Sequence, residues 1–224
     1  MSLPQIVARA ASCLSASALL ALALTAGQAS AFDKLNEAQT WIYDHGHLAN
    51  TTEGQVLNYR YASQDDALPR VSDEASISIT GMHEDGRRDV KIDFLSDERR
   101  LPLPPFTGFR GNPVIIAMLE HIAQSISSET GGGALYFRNR IRDALASSDV
   151  EMEERKINYN DNEVIATRIT FYPFINDQHI GSNELVRESR FSIDLSDDIP
   201  GGVLSVEVKA SRDAQVFERT LSLM

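Results

Sequence analysis

The residues of this chain best suited to act together are three arginines, Arg138, Arg140 and Arg142, which follow Gly131-Gly132-Gly133 in the stretch TGGGALYFRNRIRDAL. Glycine closes a helix cheaply because it accepts a positive φ. The residues after it open a second helix, whose first backbone N–H groups have no internal partner and attract anions. Arginine grips a carboxylate or phosphate through two parallel hydrogen bonds. Gly131, Gly132, Gly133, Arg138, Arg140 and Arg142 are therefore the candidate ligand-binding residues, and the ligand they imply carries an acidic group. The competing reading pairs these arginines with Glu129, Asp143 or carboxylates on neighbouring strands.

Other constellations are weaker. Asp44-His45-Gly46-His47 supplies two imidazoles of the kind zinc or copper takes, yet a resident metal wants three or four protein ligands and no further ones stand out. Asn158 to Glu163 alternates oxygen ligands as a calcium loop does, but it lacks the glycine and terminal glutamate of an EF-hand. No metal and no cofactor is expected. The motifs GxSxG, GxxxxGK[ST] and HExxH are missing, and CxxC is impossible with Cys13 as the single cysteine. The expectation is a non-enzymatic protein, and an enzyme built on His45 and His47 is the least favoured reading.

The first residues describe an address. Arg9 closes a short basic start, Ala10 to Ala26 is a run of Ala, Leu, Ser and Thr, and Ala29-Ser30-Ala31 is a small-x-small cleavage site. Residues 1–31 read as a cleaved signal peptide, which predicts a periplasmic protein with one domain over residues 32–224 and no integral membrane segment in its mature form. Cys13 lies in the leader with most of the apolar run after it, where the mature protein would have to begin, so it is not read as a lipid-bearing cysteine. The whole chain carries a net charge of −11, and the leader removes one basic residue and no acidic one. That sign repels polyanions, so no nucleic-acid partner is expected.

The elements that must position these residues follow from periodicity. Leu35, Ala38, Trp41 and Ile42 predict a short helix ending near Gly46. Leu57, Tyr59, Tyr61, then Ala75, Ile77, Ile79, then Val90, Ile92, Phe94 alternate with polar residues as strands do, and Asp85-Gly86 turns the second run into the third. Pro102, Pro104 and Pro105 stop the ladder. Asn112 and Pro113 are a good N-cap and first helical residue, and Ile115, Leu119, Ile122 and Ile126 mark one face of the helix they open. Phe137, Ile141, Ala144 and Leu145 mark the next. Strands return around Asn160-Asp161, around Pro200-Gly201-Gly202 and at Phe217 to Leu223. The fold class is α+β: a curved, mainly antiparallel sheet, an open or half barrel, packed on two central helices.

The strings LPPF, GNPVIIAMLE and TGGGALYFRNRIRDAL resemble uncharacterised exported proteins of Gram-negative bacteria, and the order of elements is similar in outline to the half-barrels of Lol-type lipoprotein carriers. No carrier motif is matched residue by residue, so no site residue is carried over. The resemblance implies a lipid or other apolar small molecule held between sheet and helices, with the arginines at its acidic head. The alternative is an envelope structural or interaction module that docks on a protein partner and has no small-molecule site.

Overall fold

Among the described residues, alternation produces one antiparallel sheet of nine strands. A computed structural model describes residues 34–66, 69–180, 183–213 and 215–224; the signal peptide expected at residues 1–31 and Cys13 lie outside them. The strands are β1 (Val56–Asp65), β2 (Val71–Met82), β3 (Arg88–Phe94), β4 (Phe106–Phe109), β5 (Glu151–Tyr159), β6 (Asn162–Phe171), β7 (Arg190–Leu195), β8 (Val203–Arg212) and β9 (Gln215–Leu223), in spatial order β4-β3-β2-β1-β9-β8-β7-β6-β5. The sheet is open, with β4 and β5 at its edges. Two meanders of sequential hairpins, β1 to β4 and β5 to β9, meet where β1 pairs with β9, Tyr61 opposite Leu221.

The helices are α1 (Glu37–Gln39), which continues as a π turn over Thr40–Asp44, α2 (Pro113–Thr130), α3 (Ala134–Leu145) and the short α4 (Glu184–Arg187). The expected caps form. The Asn112 side chain accepts from Val114 N, and Gly131 ends α2 at φ 74°. Asn112 Nδ2 also donates to the Tyr59 hydroxyl at 2.9 Å and to Gly201 O at 2.7 Å. One side chain thus starts α2 and fixes it to β1 and to the turn before β8.

Register decides the faces. Leu57, Ile77 and Ile92 lie in one row, as do Tyr59, Ala75 and Phe94, and these rows face α2. The opposite face carries polar ladders: Arg168 on β6 grips Asp194 on β7 at 2.8 and 2.6 Å, and Ser205 on β8 donates to the same carboxylate at 2.9 Å. On the helix side, Tyr59, Tyr61, Ile77, Phe94, Phe171 and Phe191 are each no more than 1% exposed. This corrects the expected ligand space between sheet and helices. Met118, Ile122 and Ile126 of α2 and Phe137 of α3 fill it, and Phe137, Phe174 and Phe191 meet edge to face at 5.8 and 5.9 Å. Each such ring pair adds about 1 kcal/mol beyond its buried area.

Two buried cations tie loops and layers. Arg219 of β9 reaches Asp65 at 2.6 Å and Glu129 of α2 at 3.0 Å. Arg88 of β3, 4% exposed, donates to Ala49 O at 2.8 Å and Thr51 O at 3.1 Å, and Asn50 ties the same loop to Ile199 O at 2.6 Å. No helix of the described residues is long and apolar enough to cross a membrane.

Candidate functional site: an apolar groove flanked by two arginines

α1, α2 and α3 enclose a groove of about 410 Å3 on the side of the helices away from the sheet. Two of its walls are helical stripes, and the third runs from the residue before the α1 cap into the π turn. Leu35, just before the Asn36 cap, Gln39 of α1 and Tyr43 of the π turn form the first; Ile116, Leu119 and Glu120 come from α2; Arg138, Asn139, Ile141 and Arg142 from α3. Spacings of three and four place side chains on one face of a helix. Asn36 sets the first wall. It caps α1 by accepting from Gln39 N, and its Nδ2 donates to Leu145 O at the end of α3 at 2.8 Å, so the same residue starts one helix and finishes another. The π turn closes with His45 N donating to Thr40 O at 2.8 Å.

Apolar surface is left uncovered here. Leu35 is 42% and Ile116 37% exposed, although neighbouring Ile115 and Leu119 are buried. Beside them, Arg138 Nε lies 2.6 Å from Glu120 Oε2, and Arg138 Nη2 donates to Glu120 Oε1 at 2.9 Å. Arg142 reaches Asp143, its chain neighbour, at 3.1 Å. Burial raises the pKa of the Tyr43 phenol, and the nearby Arg142 charge opposes that rise. The groove therefore combines an apolar floor, a phenol and two guanidinium groups.

The six residues expected to form one anion site divide into three places. Arg138 and Arg142 share the groove. Arg140 points the other way: its Nε donates to Asp177 at 3.0 Å and to the Tyr136 hydroxyl at 3.2 Å, and Tyr136 also donates to Asp177. Burial works against the Asp177 charge, but bonds from Tyr136, His179 N and Arg140 outweigh it and lower its pKa. This cluster latches α3 to the segment after β6. The glycines stand apart again. Gly131 is the αL cap, Gly132 lies against the Phe137 ring, where an added Cβ would come within 2.8 Å, and Gly133 precedes α3 without a side-chain cap. The cleft beside Gly132 and Gly133 is lined by Tyr136, Phe137 and His179, and by none of the three arginines.

His45 and His47 are also separated in role. His45 stacks on Trp41 at 4.2 Å and donates to Asp197 at 2.7 Å. His47, 2% exposed, donates through Nε2 to Trp41 O at 2.6 Å, while its buried Nδ1 has no partner and abuts Gly202. Among the described residues no group of three or more His, Cys, Asp or Glu side chains is placed to hold a metal ion. The turn at Asn160-Asp161, considered above as a calcium loop, is the tight connection between β5 and β6, with positive φ at both residues.

Residues that the sequence reading passed over are Leu35, Tyr43, Ile116 and Glu120. Ile116 carried a signal: it is a large apolar residue one position off the buried stripe of α2. Comparison with protein-family models and with curated proteins finds no match to this chain.

Proposed function

We propose that this protein is a non-enzymatic binding or carrier protein, and that it holds a lipid or other apolar molecule bearing an acidic group in the groove between α1, α2 and α3. The observation that carries the reading is the coincidence of exposed Leu35 and Ile116 with Arg138 and Arg142 in a groove of about 410 Å3, within the range of small-molecule sites, on a chain whose net charge is −11. Apolar contact supplies affinity for the tail, at about 25 cal/mol per Å2 removed from water. The guanidinium groups select an anionic end, which the rest of an acidic surface would repel. The leader read at residues 1–31 makes the periplasm the proposed place of action.

The test is titration with a fluorescent fatty-acid analogue. The wild type is expected to bind. Ile116→Asp, which sets a carboxylate against the tail, and the double reversal Arg138→Glu with Arg142→Glu should each weaken binding at least tenfold without loss of the folded circular-dichroism spectrum. No binding by the wild type, or equal binding by all three proteins, sinks the proposal and turns the patch into a face for a protein partner.

A further inference from the structure

Building on the groove reading above, we infer that Glu120 is a resident stand-in for the ligand's head group, that this head group is a carboxylate, and that loading exchanges one carboxylate for the other on Arg138. Glu120 is itself part of the groove wall. Both of its oxygens face Arg138, at 2.6 and 2.9 Å, so the guanidinium fork is already closed on a planar, two-oxygen anion, the geometry it matches best. The apolar floor begins one turn back on α2, at Ile116. A carboxylate attached to an alkyl chain lying on Ile116 and Leu35 would meet Arg138 where Glu120 now meets it.

The surroundings favour exchange over a fixed ion pair. The Arg138 side chain is 50% exposed and that of Glu120 19%, so the cation can swing while the acid stays seated. Gln124, one turn further along α2, donates to Glu120 Oε1 at 2.8 Å, which leaves Glu120 with a hydrogen bond after Arg138 departs. The second cation is weakly held: Arg142 and Asp143 are 64% and 55% exposed, and pairs of that kind contribute little. Glu120 closes the fork, and a neutral apolar molecule has nothing to offer Arg138 in exchange. Arg138 thereby sets the preference for tails that bring their own carboxylate, and Glu120 tempers it by competing for the same fork.

Calorimetric titration of the full mature chain with decanoate and with decanol tests this, using the wild type, Glu120→Gln, Glu120→Asp and Arg138→Gln. Glu120→Asp keeps the charge but shortens the reach, so it separates exchange from a general change of field. Decanoate affinity is expected to rise about two- to fivefold in both Glu120 variants, the worth of a partly exposed ion pair. Decanol affinity should stay within twofold throughout, and Arg138→Gln should remove the preference for decanoate. Decanoate binding that is unchanged or weaker in either Glu120 variant overturns the exchange, as does a preference that survives Arg138→Gln. A wild type that binds neither compound, or binds both with indifference to Ile116→Asp, is a different outcome, which removes the groove reading and this inference together.

Discussion

Acid should loosen this fold well before most of its carboxylates protonate, because two histidines, buried His47 and half-buried His121, have lowered pKa values. Burial pulls the pKa of His47 down to about 4; His45 adds to the fall, while the bond to Trp41 O and the Asp197 charge oppose it. His121 is likewise lowered to about 4, first by burial and then by Arg219 and Arg99, with Asp73 opposing; its Nε2 lies 3.1 Å from the Tyr61 hydroxyl, between α2 and the sheet. In the unfolded chain both titrate near 6.5. Their contribution is therefore complete above pH 6.5, declines as pH falls toward 4 and levels off below. Each proton bound only by the unfolded state changes stability by about 1.4 kcal/mol per pH unit. At pH 5 that amounts to about 2 kcal/mol per histidine and about 4 kcal/mol for the two. Glu129, whose pKa burial raises, works in the opposite sense and trims this sum. Asp73 and Asp177, whose pKa values are lowered, add their losses only as pH drops below the ordinary carboxylate value. The assay is urea unfolding followed by far-ultraviolet circular dichroism between pH 7.5 and 4.5. His47→Gln keeps a donor for Trp41 O and removes the titration, so its stability loss between pH 7.5 and 5 should be about half that of the wild type. A wild type equally stable at pH 7.5 and 5, or a variant with the same loss, refutes the reasoning.

Replacing Arg88 with methionine strips the carbonyl of buried Thr51, and that of exposed Ala49, of their donor and should cost about 1–3 kcal/mol, read as a fall in thermal midpoint. Gly202→Ala places a Cβ 2.5 Å from His47 Nδ1 at φ 71°, whereas Gly131→Ala meets open space at φ 74°. The second should cost about 1 kcal/mol, the left-handed penalty alone, and the first at least twice that in the same urea titration. Asn112→Ala removes the α2 cap and the donor to both Tyr59 and Gly201, with an expected loss of about 2–3 kcal/mol, measurable by the same unfolding curves.

Local signals carried most of the elements. Asn112-Pro113 marks the start of α2, Gly131 its end and Asn160-Asp161 a hairpin, because each depends on the backbone preferences of one or two residues. β4 was hidden because the prolines before it argue against pairing, and it survives as an edge strand of four residues. The arginine cluster was legible as a cluster and misread as a unit. Positions 138 and 142 are one turn apart and share a face, but 140, halfway between, must point elsewhere, so the split was present in the numbering. The filled interior was not readable, since it depends on whether side chains from distant segments add up to the available volume. Nor was the lowered pKa of His47, which follows from burial by segments distant in the chain, Gly202 among them.

The pairing of β1 with β9 bears on how the chain reaches this state. Arg219 and Asp65, which meet across that seam, are 154 positions apart, and contacts so distant in sequence form slowly because the loop must close first. During synthesis the first meander can assemble from its own hairpins, but one long edge of β1 has nothing to bond until β9 is made. For that interval the half-built sheet offers an unpaired strand flanked by Tyr59 and Tyr61, a template for any passing strand. Anything that shields β1 until the last strand has emerged would therefore bear on the yield of folded protein.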